Sequence, residues 1–157
     1  RGTPLMVQLL IIYFVVFASV DIDKVIVAVI AFGLNSAAYV AEIIRGGILS
    51  VDKGQTEAGR SLGLSYTQTM RHIVMPQAIK NALPAYTSEF IVLIKETAIV
   101  GYIALEDLTK VGDTIRSRTF SALVPLLTVA LIYLLLTGVL AKLFMRLERR
   151  LRRSDNR

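Results

Sequence analysis

Residues 119–141, TFSALVPLLTVALIYLLLTGVLA, run 23 positions without a charged side chain. A helix needs about 20 apolar residues to cross the hydrocarbon core of a bilayer, so this run reads as a membrane-crossing helix. The composition agrees, with 54% hydrophobic residues, no Cys and no Trp. Ordinary soluble chains rarely look like this, and every other stretch has to be placed relative to lipid.

Residues 25–41 give 17 uncharged positions and residues 5–20 give 16, interrupted only by Gln8. Both are short spans, with Arg1 and Arg45 placed to snorkel toward an interface. A fourth candidate, residues 82–105, carries Glu89, Lys95 and Glu96. Its ten Leu, Ile, Val and Phe residues favour insertion by roughly 3–6 kcal/mol, while each central charge costs about 2.5–3.5 kcal/mol. Such a segment inserts only if its charges face protein, water or an interface; otherwise it lies on the surface as an amphipathic helix. With flanking residues the spans are placed at 5–20, 25–45, 82–105 and 119–145. The expected fold is all-α, a polytopic transmembrane helical bundle forming one domain over 1–157, with a cytoplasmic loop at about 46–81.

Charge sets the orientation. The tail 146–157, together with Lys142, holds seven Lys and Arg against Glu148 and Asp155, so it is expected in the cytoplasm. Counting back through four spans puts 106–118 outside, 42–81 inside and the link at Asp21, Asp23 and Lys24 outside. The inside segments then hold 13 Lys and Arg and the outside links four. The net charge of +6 needs no nucleic acid to explain it; the basic tail suits anionic lipid. Zero Cys excludes disulfides, thiolate metal sites and a Cys nucleophile. The chain opens on Arg without a signal-peptide pattern, and a further N-terminal span is expected upstream.

The inside segment is long for a connection and rich in helix punctuation. Gly46 and Gly47 are expected to end the preceding span, Asp52 to cap a helix reaching about Leu62, and Gly63 to supply a left-handed stop. Ser65 with Gln68 three residues on is a capping box, so a second helix is expected from Tyr66 to about Met75, before Pro76. Tyr66, Met70, Ile73 and Val74 share one apolar face, leaving Gln68, Arg71 and His72 elsewhere. Two helices at a glycine turn also describe a DNA-reading pair, but that needs a third helix and its own core, and spans enter within about ten residues on both sides. A docking element for a cytoplasmic partner suits the pattern better. His72 has no Cys, Asp or Glu at ligand spacing, so no metal site is expected.

The same residues carry a resemblance. Glu57, Ala58 and Gly59, then Gly63, then Ile73, Met75 and Pro76 resemble the EAA signature of permease subunits in bacterial ABC importers, with Gly59 for the usual second Ala and Met75 for Leu. RGTPLMVQLL at 1–10, NSAAYVAEIIRGGILSVDKGQ at 35–55, EAGRSLGLS at 57–65, MPQAI at 75–79, SEFIVLIKETAIV at 88–100 and LERRL at 147–151 are similar to the polar amino acid permease family. The resemblance implies a bacterial inner-membrane subunit that pairs with a second permease, borrows energy from two ATPase subunits that hold ATP and Mg, and receives an amino acid from an extracytoplasmic binding protein. It implies that the loop is the coupling helix region, with Glu57, Ala58, Gly59, Gly63, Ser65, Arg71, Ile73 and Pro76 as its residues. Short residues such as Ala58 are expected where backbone or partner comes close.

Glu89 is expected to contribute to a polar substrate path, with Lys95 and Glu96 near it or near a subunit interface. Asn35 either lines the same path or makes a hydrogen bond between spans. No GxxxxGKS phosphate loop and no catalytic constellation occur, so the chain is read as a transport subunit without its own ATPase site or cofactor. The alternative is a secondary, ion-gradient-driven amino acid transporter or channel fragment, which would need no capped helix pair. A scaffold without a pathway would leave the charges of 82–105 unexplained.

Overall fold

The computed structural model describes the backbone of residues 2–153 and the side chains of residues 2–149. Arg1 and the end of the basic tail, residues 154–157, lie outside the described residues, as do the side chains of 150–153. Among the described residues every regular element is a helix.

Helix α1 covers Leu5–Ile11 and runs on as a π turn, Ile12–Val16. Helix α2 covers Lys24–Leu49, begun by Asp23, whose carboxylate accepts from the Val25 N–H at 2.7 Å. The loop helices are α3, Lys53–Ser61, and α4, Tyr66–Thr69. A π turn, Met70–Val74, joins α4 to α5, Met75–Glu96, which tightens into a 3-10 segment, Thr97–Ile103. Helix α6, Leu108–Thr119, and helix α7, Leu123–Arg153, complete the chain.

Two apolar clusters organise these elements. Leu5 and Leu9 of α1 meet Ala28, Ala31 and Phe32 of α2 and Ile103 of the 3-10 segment. A smaller cluster, Val51, Val74 and Ala78, sits under the loop helices, with Ile48 and Met70 against it. Helices α2 and α5 share the most extensive contact, and α7 packs on both α5 and α6. Most of α7 remains uncovered, with Leu127 and Leu134 at 60% and 67% exposure. A leucine surface of that extent would drive aggregation in water and suits lipid. Helices α2 and α7 are each long and apolar enough to cross a membrane.

Several boundaries differ from those read in the sequence. The first helix ends at Val16, not residue 20, because residues 17–22 reverse the chain into the Asp23 cap. Gly46 and Gly47 do not end α2, which continues to Leu49. A Cβ on Gly47 would lie 2.7 Å from the Ala78 carbonyl oxygen and 2.8 Å from the Ala82 Cβ, so this glycine lets α2 and α5 approach backbone to backbone. Pro76 does not stop the second loop helix either. Proline removes one N–H and its ring presses on the carbonyl four residues back; the π turn just before it accommodates both. The charged span 82–105 begins earlier, at Met75, and its regular helix ends at Glu96. Residues 106–118, expected as an outside connection, are mostly helix α6 laid along α7. The last helix consequently starts at Leu123 and extends to Arg153, beyond the 119–145 expected.

Candidate functional site

The loop between α2 and α5 is assembled from local signals. Asp52 opens α3 by accepting from the Gly54 N–H at 2.7 Å. Gly63, at φ +83, closes it: the Leu64 N–H donates to the Gly59 carbonyl at 3.2 Å and the Gly63 N–H to the Arg60 carbonyl at 3.0 Å, the two bonds of a Schellman motif. Ser65 then opens α4 reciprocally. The Ser65 N–H donates to Gln68 Oε1 at 2.8 Å, and the Gln68 N–H donates to Ser65 Oγ at 3.3 Å.

Gly59 fixes how the two helices cross. A Cβ there would lie 2.7 Å from Thr69 Cγ2 and 2.9 Å from Ile73 Cδ1, so a larger residue obliges one of these side chains to move. Thr69 is fully buried, with its hydroxyl donating to the Ser65 carbonyl at 3.0 Å. Glycine in place of the usual alanine at position 59 thus suits the tight packing against Thr69 and Ile73. Close approach inside the loop belongs to Gly59, whereas Ala58 is exposed. Thr69 escapes sequence reading because a threonine among polar residues carries no apolar signal.

Of the apolar stripe expected on α4, Val74 is buried and Met70 and Ile73 are half-buried, but Tyr66 is 61% exposed. Leu62, at the turn, is 81% exposed. The pair thus exposes two large apolar side chains at its turn, and Glu57, Arg71 and Pro76 are exposed as well. The base is tied to the bundle. Asn81 Nδ2 donates to Ser50 Oγ at 2.9 Å, and Ser50 Oγ donates to the Gly47 carbonyl at 2.7 Å. Gln77 Nε2 donates to the Ile73 carbonyl at 2.9 Å across the π turn. These ties join residues up to 31 positions apart, and no local pattern announces them.

The residues considered for a substrate path do not form one cluster. Asn35 is buried on α2 and lines a cavity with Gln8, Ile12 and Ala38 on the α1 side. Glu89 and Glu96 lie on one face of α5, two turns apart and both half-buried, while Lys95 is exposed near the end of the helix. Phe90 of α5 meets Phe144 of α7 edge to face, with ring centroids 5.6 Å apart, which places α7 beside this charged helix.

A family described as "Binding-protein-dependent transport system inner membrane component" matches residues 1–153. The chain is 44% identical to the arginine transport system permease protein ArtQ of Bacillus subtilis (strain 168), covering 99% of this chain and 72% of that protein. It is 41% identical to the glutamine transport system permease protein GlnP of Escherichia coli (strain K12), covering 97% of this chain and 71% of that protein. Among solved structures, an amino acid ABC transporter with histidines superposes with a TM-score of 0.87 at 49% identity, over 96% of this chain and 71% of that one. The MetNI methionine ABC transporter, at 21% identity and a TM-score of 0.79, shares the fold.

Proposed function

This chain belongs to the binding-protein-dependent transport inner-membrane family, as a membrane permease subunit of an ABC importer, and we propose that its cargo is a polar amino acid. Relatives that transport arginine and glutamine support that cargo class. The matched relatives are ABC permeases, which sets aside the gradient-driven alternative.

In this reading the α3–α4 pair is the joint to a partner ATPase, which holds ATP and Mg and supplies the energy. The observation that carries it is the exposed tip. The capping groups of the pair are satisfied internally and Gly59 locks its crossing, yet Leu62 and Tyr66 point away from the core. Exposed apolar anchors on a rigid polar element are what a partner groove takes up. Glu57, Ala58, Arg71 and Pro76 are exposed on the same loop segment, while Gly59, Gly63, Ser65 and Ile73 shape the element. The ties from Ser50 to Asn81 and from Gly47 to Ala78 then carry motion of the pair into α2 and α5.

The remaining architecture follows in the same reading. Helices α2, α5 and α7 cross the membrane, and α1 with the turn at 17–20 completes the first crossing. The tail faces the cytoplasm, a second permease completes the pathway, and a binding protein delivers cargo outside. Glu89, Lys95 and Glu96 face the path or the permease interface, and Asn35 serves α1–α2 packing or the path. The test is co-purification of the complete permease with its ATPase. Glu57→Lys and Leu62→Asp, both at exposed positions, are expected to lose the ATPase with the spans still inserted. Full retention in both variants would remove the joint from the account.

A further inference from the structure

Residues 106–118 read as a link outside the membrane, but the register of α6 against α7 puts this helix elsewhere. The Thr109 hydroxyl donates to the Tyr133 hydroxyl at 3.4 Å, and that hydroxyl lies 3.5 Å from Asp107 Oδ2. Gly112 is buried directly against Val129. The two helices therefore run antiparallel, with Thr109 level with Tyr133 and Gly112 level with Val129. Residues 123–141 are the uncharged part of α7, and at 1.5 Å per residue their length is about 28 Å, one hydrocarbon core. Setting that stretch across the hydrocarbon core puts Tyr133, ten residues in, about 15 Å from its outer end. Asp107 and Lys110 share that depth, with Asp113 one turn of α6 nearer the surface.

Charges at that depth are not tolerated against lipid; they face protein or water. Asp107 is anchored, accepting from the Thr109 and Lys110 N–H groups at 2.9 and 3.0 Å as the cap of α6. Asp113 pairs with Arg116 at 2.6 Å. Lys110 is exposed, and its stem lies over Gly101, where a Cβ would be 3.4 Å from Lys110 Cβ. Tyr102, Asp107, Thr109, Lys110 and Asp113 line one cavity between the 3-10 segment, α6 and α7. The backbone beside it is irregular, with Ala104 in the left-handed region at φ 58. Non-helical backbone at membrane depth occurs where it is buried in protein or lines a water-filled cavity, and broken helices at the midplane are where transported solutes are held.

We infer that this cavity is a station on the transport path for the zwitterionic head group of an amino acid, with Lys110 receiving the carboxylate and Asp113 the ammonium. The inference rests on the amino acid cargo proposed above. It adds a site on α6, distinct from the charges of α5, that reads the part common to all amino acids and leaves side-chain choice to other elements.

The test uses the complete permease with its ATPase and binding protein in proteoliposomes, with L-arginine and L-glutamine as probes. Lys110→Gln is expected to lower uptake at least tenfold at saturating binding protein while the ATPase stays bound, and Lys110→Arg to restore at least half of it. In a complex whose other cysteines have been replaced, Lys110→Cys gives a single reporter, since residues 1–157 contribute none. Its thiol is expected to react with a charged methanethiosulfonate reagent and to be protected by the transported amino acid. Uptake within twofold of wild type in Lys110→Gln, or a thiol in Lys110→Cys that is unreactive or unprotected, overturns the inference while the cargo reading stands. A wild-type importer that moves neither probe nor any other amino acid overturns both.

Discussion

The loop helices α3 and α4 and helix α6 are both polar elements in an apolar chain, yet they are positioned by different physics. The loop pair is written locally: a cap at Asp52, a left-handed glycine at 63 and a capping box at Ser65 all act within five residues. Helix α6 has a local start at Asp107, but its depth is set by contacts with Tyr133 and Val129, some 17–26 positions away. Local polarity therefore places an element correctly only when nothing distant captures it.

Three substitutions sharpen this contrast. The largest effect is expected from Gly59→Val, which forces side-chain atoms into Thr69 and Ile73. Overpacking of this kind costs about 1–3 kcal/mol. Thermal unfolding in detergent should fall accordingly and ATPase retention should drop with it; an unchanged midpoint would mean that the helix pair is not locked at this contact. Gly63→Ala is expected to cost about 1–2 kcal/mol, because an L side chain at φ +83 pays the left-handed penalty. If the midpoint holds, the Schellman turn does not fix the pair. The smallest effect is expected from Tyr133→Phe, which removes one long hydrogen-bond partner of Asp107, at about 0.5–1 kcal/mol. Faster proteolysis or labelling confined to residues 104–119 would show α6 loosening; no change there would detach α6 from the Tyr133 register.

What the sequence discloses follows the same division. The all-α class and the polar loop are legible, since apolar run length and capping spacing report them directly. Helix ends expected at Gly46, Gly47 and Pro76 do not occur there, because glycine and proline signal interruption locally, whereas here Gly47 serves helix contact and a π turn absorbs Pro76. At the candidate joint, the roles of Gly63 and Ser65 are legible from spacing. The exposure of Leu62 and Tyr66 and the burial of Thr69 are not, because burial depends on which face a partner helix takes. On α5, the charges stand out by their cost in lipid. Asp107, Lys110 and Asp113 pass as ordinary loop charges until α7 gives them depth.

The most direct test of the α3–α4 joint is cargo-stimulated ATP hydrolysis by the complete importer in proteoliposomes, with wild type, Leu62→Asp and Lys110→Gln measured side by side. The account predicts that Leu62→Asp abolishes stimulation by losing the ATPase, while Lys110→Gln keeps the ATPase bound and loses uptake. Full stimulation and transport in Leu62→Asp would contradict it.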